Sequence, residues 1–127
     1  MKRNVRLILS TTTLKGLFWL VFLTIIVLSL VPVGHPEFSP NDKINHLLGW
    51  GALGLLGWLG WPGRWRVLLL LWCASIAIEG AQGLTAYRFF SWADALANGV
   101  GLLIGLVIAN IWHRLRTVPV LNRLKKE

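Results

Sequence analysis

The sequence predicts an all-α integral membrane protein, a bundle of four transmembrane helices with both termini in the cytoplasm. Two observations predict this class. The 127 residues are 55% hydrophobic and only 14% charged, which is far from the composition of soluble domains. They also contain four apolar stretches close to the roughly 20 residues that a helix needs to cross a bilayer. Because lipid offers no partner to backbone N–H and C=O groups, each stretch is expected to be a helix.

The four predicted spans follow one another within a single domain, residues 1–127. The first carries no charge, the second carries His46, the third carries Glu79, and the fourth carries Asp94 near its start. The first span is preceded by Lys15 in the manner of a signal peptide, but its length and the lack of a small-residue cleavage site favour a retained anchor. The spans cover residues 16–33, 44–61, 67–84 and 93–112, and a basic cytoplasmic tail covers residues 113–127.

The orientation follows from the basic residues, which cells retain on the cytoplasmic side of short loops. Eleven of the 13 Lys and Arg residues fall at the termini or in the turn between the second and third spans, and only Lys43 and Arg88 fall on the other side. The net charge of +8 is therefore explained by the topology and by attraction to anionic lipid headgroups, and it does not predict a nucleic-acid-binding surface.

Polar residues within or beside the spans collect at the predicted outer ends of the second, third and fourth helices. Residues three or four apart share a helix face, so each of these helices presents a polar pair at its outer end. A charged side chain at membrane depth is tolerated mainly when it is paired or faces a wet cavity, which makes this set a predicted ligand-binding site. Its members are Asp42, Lys43, His46, Glu79, Gln82, Arg88, Ser91, Asp94 and Asn98.

Two members of this set require separate comment. Glu79 is the costliest to bury, and its expected partner is Arg88, Lys43 or His46. Ser91 and Asp94 fit the spacing of a capping box, so helix capping is an alternative role for both. For the residues within the spans, the alternative to a site is a buried network that joins the helices.

Small residues predict where the helices approach one another. Gly51, Gly54, Gly57 and Gly60 recur at every third position of the second helix, and Gly101 and Gly105 form a GxxxG pattern on the fourth. Close backbone approach drives helix association in lipid, so these residues predict a tight bundle. The single cysteine, Cys73, excludes an intramolecular disulfide.

The ordered polar residues resemble the motif set of the VanZ-like family of bacterial membrane proteins. The matching strings are Asp42-Lys43-x-x-His46, Glu79-x-x-Gln82 and Arg88-x-x-Ser91-x-x-Asp94-x-x-x-Asn98-x-x-Gly101. The resemblance runs from Ser29 to Gly101 and implies a cell-envelope protein of the bacterial inner membrane. The family's namesake is associated with reduced susceptibility to the glycopeptide teicoplanin. The resemblance supplies no reaction.

The predicted function is binding of a lipid-linked or phosphate-bearing envelope component near the outer leaflet. Arg88 and Lys43 are suited to a phosphate, Arg as a bidentate fork and Lys as a point charge. The candidates for acid–base catalysis are His46, Glu79 and Asp94, while the carboxylates could instead hold a divalent cation. The expected partners are membrane lipids and a lipid-linked envelope precursor. The sequence does not decide whether the protein is an enzyme, and it names no cofactor.

Two other classes of function remain alternatives. One is a structural or accessory subunit whose polar residues lock the bundle and whose surface meets another envelope protein. The other is a small ion-coupled transporter that uses Glu79 and Asp94, acting as a homo-oligomer because four short spans leave little room for a monomeric pathway. No catalytic triad, zinc spacing, P-loop or dinucleotide fingerprint can be found in the sequence.

Overall fold

The fold is an all-α bundle of four helices, seen in a computed structural model that describes residues 9–32 and 40–124 and the side chains of residues 9–32 and 42–116. Helices are the outcome expected of apolar stretches that must satisfy their backbone groups internally. In chain order the elements are α1 (Thr11–Leu30), α2 (Pro40–Gly60), α3 (Trp65–Gly83) and α4 (Trp92–Leu124).

The helix ends follow local rules that hydropathy does not capture. Ser10 caps α1 because its Oγ accepts a hydrogen bond from the N–H of Thr13 over 3.1 Å. The helix ends at Leu30 because Val31 is extended, with φ −88° and ψ 138°, the conformation favoured immediately before a proline. Gly63 turns the chain between α2 and α3 with φ +73°, where a residue with a β-carbon would be strained.

These rules shift the predicted boundaries. The first helix begins at Thr11, five residues before the predicted start at residue 16, and the second begins at Pro40 rather than 44. Both early turns are polar and therefore lie outside an apolar window. The predicted end of the first span, Val33, lies outside the described residues.

The predicted cytoplasmic tail is not a separate segment in its described part. α4 continues from Trp92 to Leu124 as one helix of 33 residues, about 50 Å at 1.5 Å per residue. The helix does not end where the basic residues begin because Arg and Lys are themselves good helix formers. Residues 125–127 of the predicted tail lie outside the described residues.

In the part of the chain that the structure describes, three helices are long and apolar enough to span a membrane, namely α1, α3 and the Trp92–Arg116 part of α4. At 21 residues α2 is long enough as well, but Asp42, Lys43 and His46 in its first two turns lower its hydropathy. Its crossing of the bilayer, and the placement of both termini in the cytoplasm, stay predictions.

Helices α2 and α4 approach each other most closely, and glycine makes this possible. A β-carbon on Gly101 would lie 2.7 Å from the carbonyl oxygen of Leu47, and one on Gly105 would overlap the carbonyl oxygen of Gly51. On α2, Gly54 faces α4 across the same contact, and a β-carbon there would overlap the backbone of Leu102. The predicted role of these glycines in a tight bundle is therefore confirmed for α2 and α4.

The bundle is apolar outside and partly polar inside. Exposed leucines such as Leu20, Leu70 and Leu103 have 60% or more of their surface accessible. The buried core combines apolar residues with polar ones. Burying polar residues costs free energy whatever surrounds the bundle. The apolar exterior is compatible with lipid and not with water. The buried polar residues are Ser75, Glu79, Gln82, Asp94 and Asn98, and the apolar core comprises Phe18, Trp50, Leu53, Leu71 and Leu102.

Candidate functional site at one end of the bundle

The predicted site residues meet at one end of the bundle. This end is formed by the end of α1, the start of α2, the end of α3, the connection between α3 and α4, and the start of α4. We refer to the nine predicted residues as the polar cluster. They are Asp42, Lys43, His46, Glu79, Gln82, Arg88, Ser91, Asp94 and Asn98.

Two polar pairs join α2 to α4. The Lys43 Nζ lies 3.4 Å from Oδ1 of Asp94, and Nδ1 of His46 lies 2.8 Å from Oδ1 of Asn98. Lys43 and His46 are one helical turn apart on α2, and Asp94 and Asn98 are one turn apart on α4. The two pairs therefore lie on the facing sides of these helices. Because the glycine contact lies directly below them, the two helices are close enough for short side chains to meet.

His46 is the centre of the polar cluster. Its Nε2 lies 3.8 Å from Oδ2 of Asp42, and its Nδ1 lies 3.9 Å from Oε1 of Glu79. An amide oxygen can only accept, so Nδ1 donates the hydrogen in the contact with Asn98, and the other ring nitrogen, Nε2, faces Asp42. Both contacts with carboxylates are longer than a hydrogen bond.

Glu79 is almost completely buried, with 2% of its side chain exposed. Its expected partner was Arg88, Lys43 or His46, and of these His46 is the neighbour, with Nδ1 3.9 Å from Oε1 of Glu79. Arg88 acts on it only at longer range. The three candidate partners predicted from the sequence therefore include the observed neighbour, but the sequence did not distinguish among them.

Arg88 pairs with Asp42 and not with Glu79. One guanidinium nitrogen lies 3.4 and 3.5 Å from the two carboxylate oxygens of Asp42. Both side chains keep some exposure, 22% for Arg88 and 16% for Asp42, so they lie at the mouth of the polar cluster. One terminal nitrogen makes both contacts, which leaves other guanidinium donors for a ligand.

Two hydrogen bonds attach α1 to this end of the bundle. The Gln82 Nε2 donates to the carbonyl oxygen of Ser29 over 2.9 Å, and the Tyr87 hydroxyl donates to the carbonyl oxygen of Leu30. Gln82 therefore belongs to the packing of α1 against α3. Tyr87 was not among the predicted residues. Its position next to Arg88, as the one tyrosine of the chain, is the only signal that could have indicated it.

Ser91 caps α4, as the alternative interpretation proposed. Its Oγ accepts a hydrogen bond from the N–H of Asp94 over 3.2 Å, and its carbonyl accepts from the N–H of Ala95 over 3.1 Å. The carboxylate of Asp94 also lies in the first turn of α4, where the helix dipole favours a negative charge.

A cavity of about 640 Å³ opens beside the polar cluster, between α1 and α2. One end of it is polar and is lined by Asp42, His46 and Arg88, with Tyr87 beside them. The remainder is mostly apolar and is lined by residues such as Ile25, Leu28 and Leu48. Its size lies within the range of small-molecule sites.

Three members of the polar cluster have the donor set of a cation site. One ligand atom each from Asp42, His46 and Asp94 lie within 4.8 Å of one another. Carboxylate oxygen combined with imidazole nitrogen suits divalent metals such as Zn²⁺ and Mn²⁺.

A four-helix bundle with lipid-compatible outer faces and a polar cluster at one end defines a class, the small helical membrane proteins. The chain matches the VanZ/LLP1 family over residues 3–113 and belongs to that family. The resemblance found from the polar motifs is thereby confirmed. No curated protein and no solved structure matches the chain.

Proposed function

We propose that this protein crosses the bacterial inner membrane four times and binds an anionic, lipid-linked component of the cell envelope at the outer leaflet. The observation that carries the proposal is the cavity of about 640 Å³ between α1 and α2. The cavity has a long apolar wall and a polar end, so it can accept the hydrocarbon chain and the polar headgroup of an amphiphile.

The polar end supports a phosphate-bearing headgroup. Arg88 lines the cavity and has donors that its contacts with Asp42 leave free. Arginine favours phosphate because several of its N–H groups point in one plane towards adjacent oxygens. Lys43, with 55% of its side chain exposed, is a second cation at the same end of the bundle.

The apolar wall supports a hydrocarbon chain. Ile25 and Leu28 contribute to it from α1 and Leu48 from α2. Leu28 and Leu48 are themselves more than half exposed, so the cavity is continuous with the lipid-facing surface. A prenyl or acyl chain could therefore enter sideways from the bilayer while its headgroup stays at the mouth.

The charge asymmetry supports the orientation. Lys15, Arg64, Arg66, Arg114 and Arg116 lie at the end of the bundle opposite the polar cluster. Under the positive-inside rule that end is expected to face the cytoplasm, which supports a cavity that opens at the outer leaflet. An envelope component that is carried on a lipid is exposed on this side of the membrane.

A link with glycopeptide susceptibility is part of the proposal, because these antibiotics act on envelope precursors. We expect cells that express the wild-type chain to differ in glycopeptide susceptibility from cells that express Arg88→Gln at the same level. Equal susceptibility at equal expression would remove this part of the proposal and leave the binding site untouched.

The binding test uses the full-length protein in detergent and three lipids. A polyprenyl phosphate is compared with the same polyprenol without phosphate and with phosphatidylglycerol, and native mass spectrometry counts the bound molecules. We expect the polyprenyl phosphate to bind and the polyprenol not to. Binding of phosphatidylglycerol alone would identify a lipid headgroup instead of a lipid-linked precursor.

A matched pair of variants localises the binding. Arg88→Gln should lose the phosphate-bearing lipid, whereas Arg64→Gln, an exposed arginine at the opposite end, should retain it. Equal binding by both variants would contradict the proposed site. The thermal stability of each variant is measured in the same detergent, so that loss of fold is not mistaken for loss of a ligand.

The second candidate function is an accessory subunit without a ligand of its own. It is favoured by the interhelical pairs, because Lys43 with Asp94 and His46 with Asn98 already join α2 to α4. In this case the wild type binds none of the three lipids, and Arg88→Gln is only less stable. The partner would then be a second copy of the chain or another envelope protein.

A further inference from the structure

We infer that Asp42, His46 and Asp94 form a site for one divalent metal ion, Zn²⁺ or Mn²⁺ in chemical class. The ligand atoms of these three side chains come from α2 and α4 and lie within 4.8 Å of one another. The set is one imidazole and two carboxylates, which is a combination suited to these ions.

The first argument is the orientation of His46. Its Nδ1–H donates to Oδ1 of Asn98 over 2.8 Å, so the ring is held with Nε2 facing Asp42. This is the arrangement of metal-binding histidines, which donate their second ring nitrogen to an oxygen that holds the ring in place.

The second argument is the distance between the side chains of His46 and Asp42. At 3.8 Å, Nε2 of His46 and Oδ2 of Asp42 are too far apart for a hydrogen bond. Two ligands that each lie about 2.0–2.2 Å from a tetrahedral ion are roughly 3.4 Å apart. The observed gap is about 0.4 Å wider than the separation of two metal ligands, so a small approach of the two side chains would let them share one ion.

The third argument is a buried carboxylate beside the three ligands. Glu79 has 2% of its side chain exposed, and the backbone N–H of Ser91 donates a hydrogen bond to its carboxylate. Nδ1 of His46 lies 3.9 Å from its Oε1. A carboxylate buried among membrane helices remains expensive, and a nearby divalent ion would offset that cost.

The balance of charge supports the same conclusion. Asp42, Glu79 and Asp94 supply three negative charges, while Lys43 and Arg88 supply two positive ones. With a neutral His46 these five side chains leave one uncompensated negative charge. A divalent ion reverses the sign and can also bridge to phosphate oxygens, and this one step of the argument rests on the proposed function.

The metal alone is the probe. The full-length protein is purified in detergent, stripped with EDTA, and titrated with Mn²⁺ while electron paramagnetic resonance records the free ion; Zn²⁺ is then added as a competitor. We expect one Mn²⁺ per chain, displaced by Zn²⁺. Asp42→Asn, Asp94→Asn and His46→Gln should each weaken binding by about tenfold or more. His113→Gln, a histidine outside the polar cluster, should bind as the wild type does.

Several outcomes would overturn the inference. One is a wild type that binds no stoichiometric metal and whose melting temperature does not rise with Mn²⁺ or Zn²⁺, a result that does not depend on whether any variant folds. Another is binding that survives both aspartate changes. Lipid binding is also measured in EDTA, and if lipid binds while no metal does, the metal site fails and the proposed function stands.

Discussion

His46 on α2 and Asn98 on α4 share a hydrogen bond of 2.8 Å between Nδ1 and Oδ1. The two residues are 52 positions apart in the chain, and Asn98 is 1% exposed. This bond fixes the rotation of the imidazole, so the direction in which His46 presents its other nitrogen depends on a residue of another helix.

The first prediction concerns this bond. Asn98→Leu keeps the volume and leaves Nδ1 of His46 without a partner in the interior. Hydrogen bonds between membrane helices contribute roughly 0.6 to 1.7 kcal/mol, and we expect a loss of stability in that range, measured by unfolding in mixed detergent micelles. Asn110→Leu, an exposed asparagine on the same helix, is the control and should not lower stability. Equal losses in both variants would contradict a specific role for the bond.

The glycine contact gives the second prediction. Gly105→Ala places a β-carbon onto the carbonyl oxygen of Gly51, which is backbone and cannot rotate away. We expect overpacking to cost about 1–3 kcal/mol. Gly80→Ala, on α3, meets nothing within 4 Å and should leave stability unchanged or raise it, because alanine favours helix. A Gly105→Ala variant as stable as Gly80→Ala would mean that α2 and α4 are not in backbone contact.

The attachment of α1 gives the third prediction. Gln82→Leu removes a buried hydrogen bond to the carbonyl of Ser29 and should cost roughly 0.6 to 1.7 kcal/mol. Tyr87→Phe removes a similar bond to the carbonyl of Leu30, but the Tyr87 side chain is exposed and the bond can be replaced by water. Its cost should stay below about 0.5 kcal/mol. Unfolding of both variants under identical conditions decides the order, and a reversed order would refute the reasoning from burial.

The cap of α4 gives the fourth prediction. Ser91→Ala removes the acceptor for the N–H of Asp94 and should cost about 0.5–2 kcal/mol. Ser91→Asp supplies another capping oxygen and should restore stability. If Ser91 also contacts the ligand, Ser91→Asp will be stable yet defective in lipid binding. Full recovery of both properties would limit the residue to its capping role.

The topology gives the fifth prediction. In a Cys73→Ser background, Ala86→Cys should react with a membrane-impermeant maleimide in intact cells, whereas Arg64→Cys should react only after permeabilisation. Both positions are exposed and lie at opposite ends of α3. The reverse pattern would contradict this topology, because it requires either both termini on the outer side or an α2 that does not cross the bilayer.

The sequence predicted the four helices and the gathering of the polar residues towards one end of them. Hydropathy and i,i+4 spacing are properties of single helices, so they located Asp42 with His46 and Asp94 with Asn98 on shared faces. They could not assign partners between helices, because partners depend on how each helix is rotated about its axis. The pairing of Arg88 with Asp42 and of Lys43 with Asp94 needed the three-dimensional arrangement.

Other features could not be predicted for different reasons. The contribution of α1 to the site consists of backbone carbonyls and apolar side chains, which no sequence pattern distinguishes from ordinary span residues. The end of α4 at Leu124 was missed because a change from apolar to basic residues marks the membrane surface and does not end a helix.

The separation of an apolar exterior from a partly polar interior has a practical consequence for protein engineering. Leucines such as Leu20, Leu70 and Leu103 make contact with the surroundings more than with the rest of the chain. Replacing such positions with glutamine or glutamate would change the solvent in which the bundle dissolves without altering the contacts between its helices. A water-soluble version with an intact interior would allow the ligand chemistry to be studied in plain buffer, free of detergent.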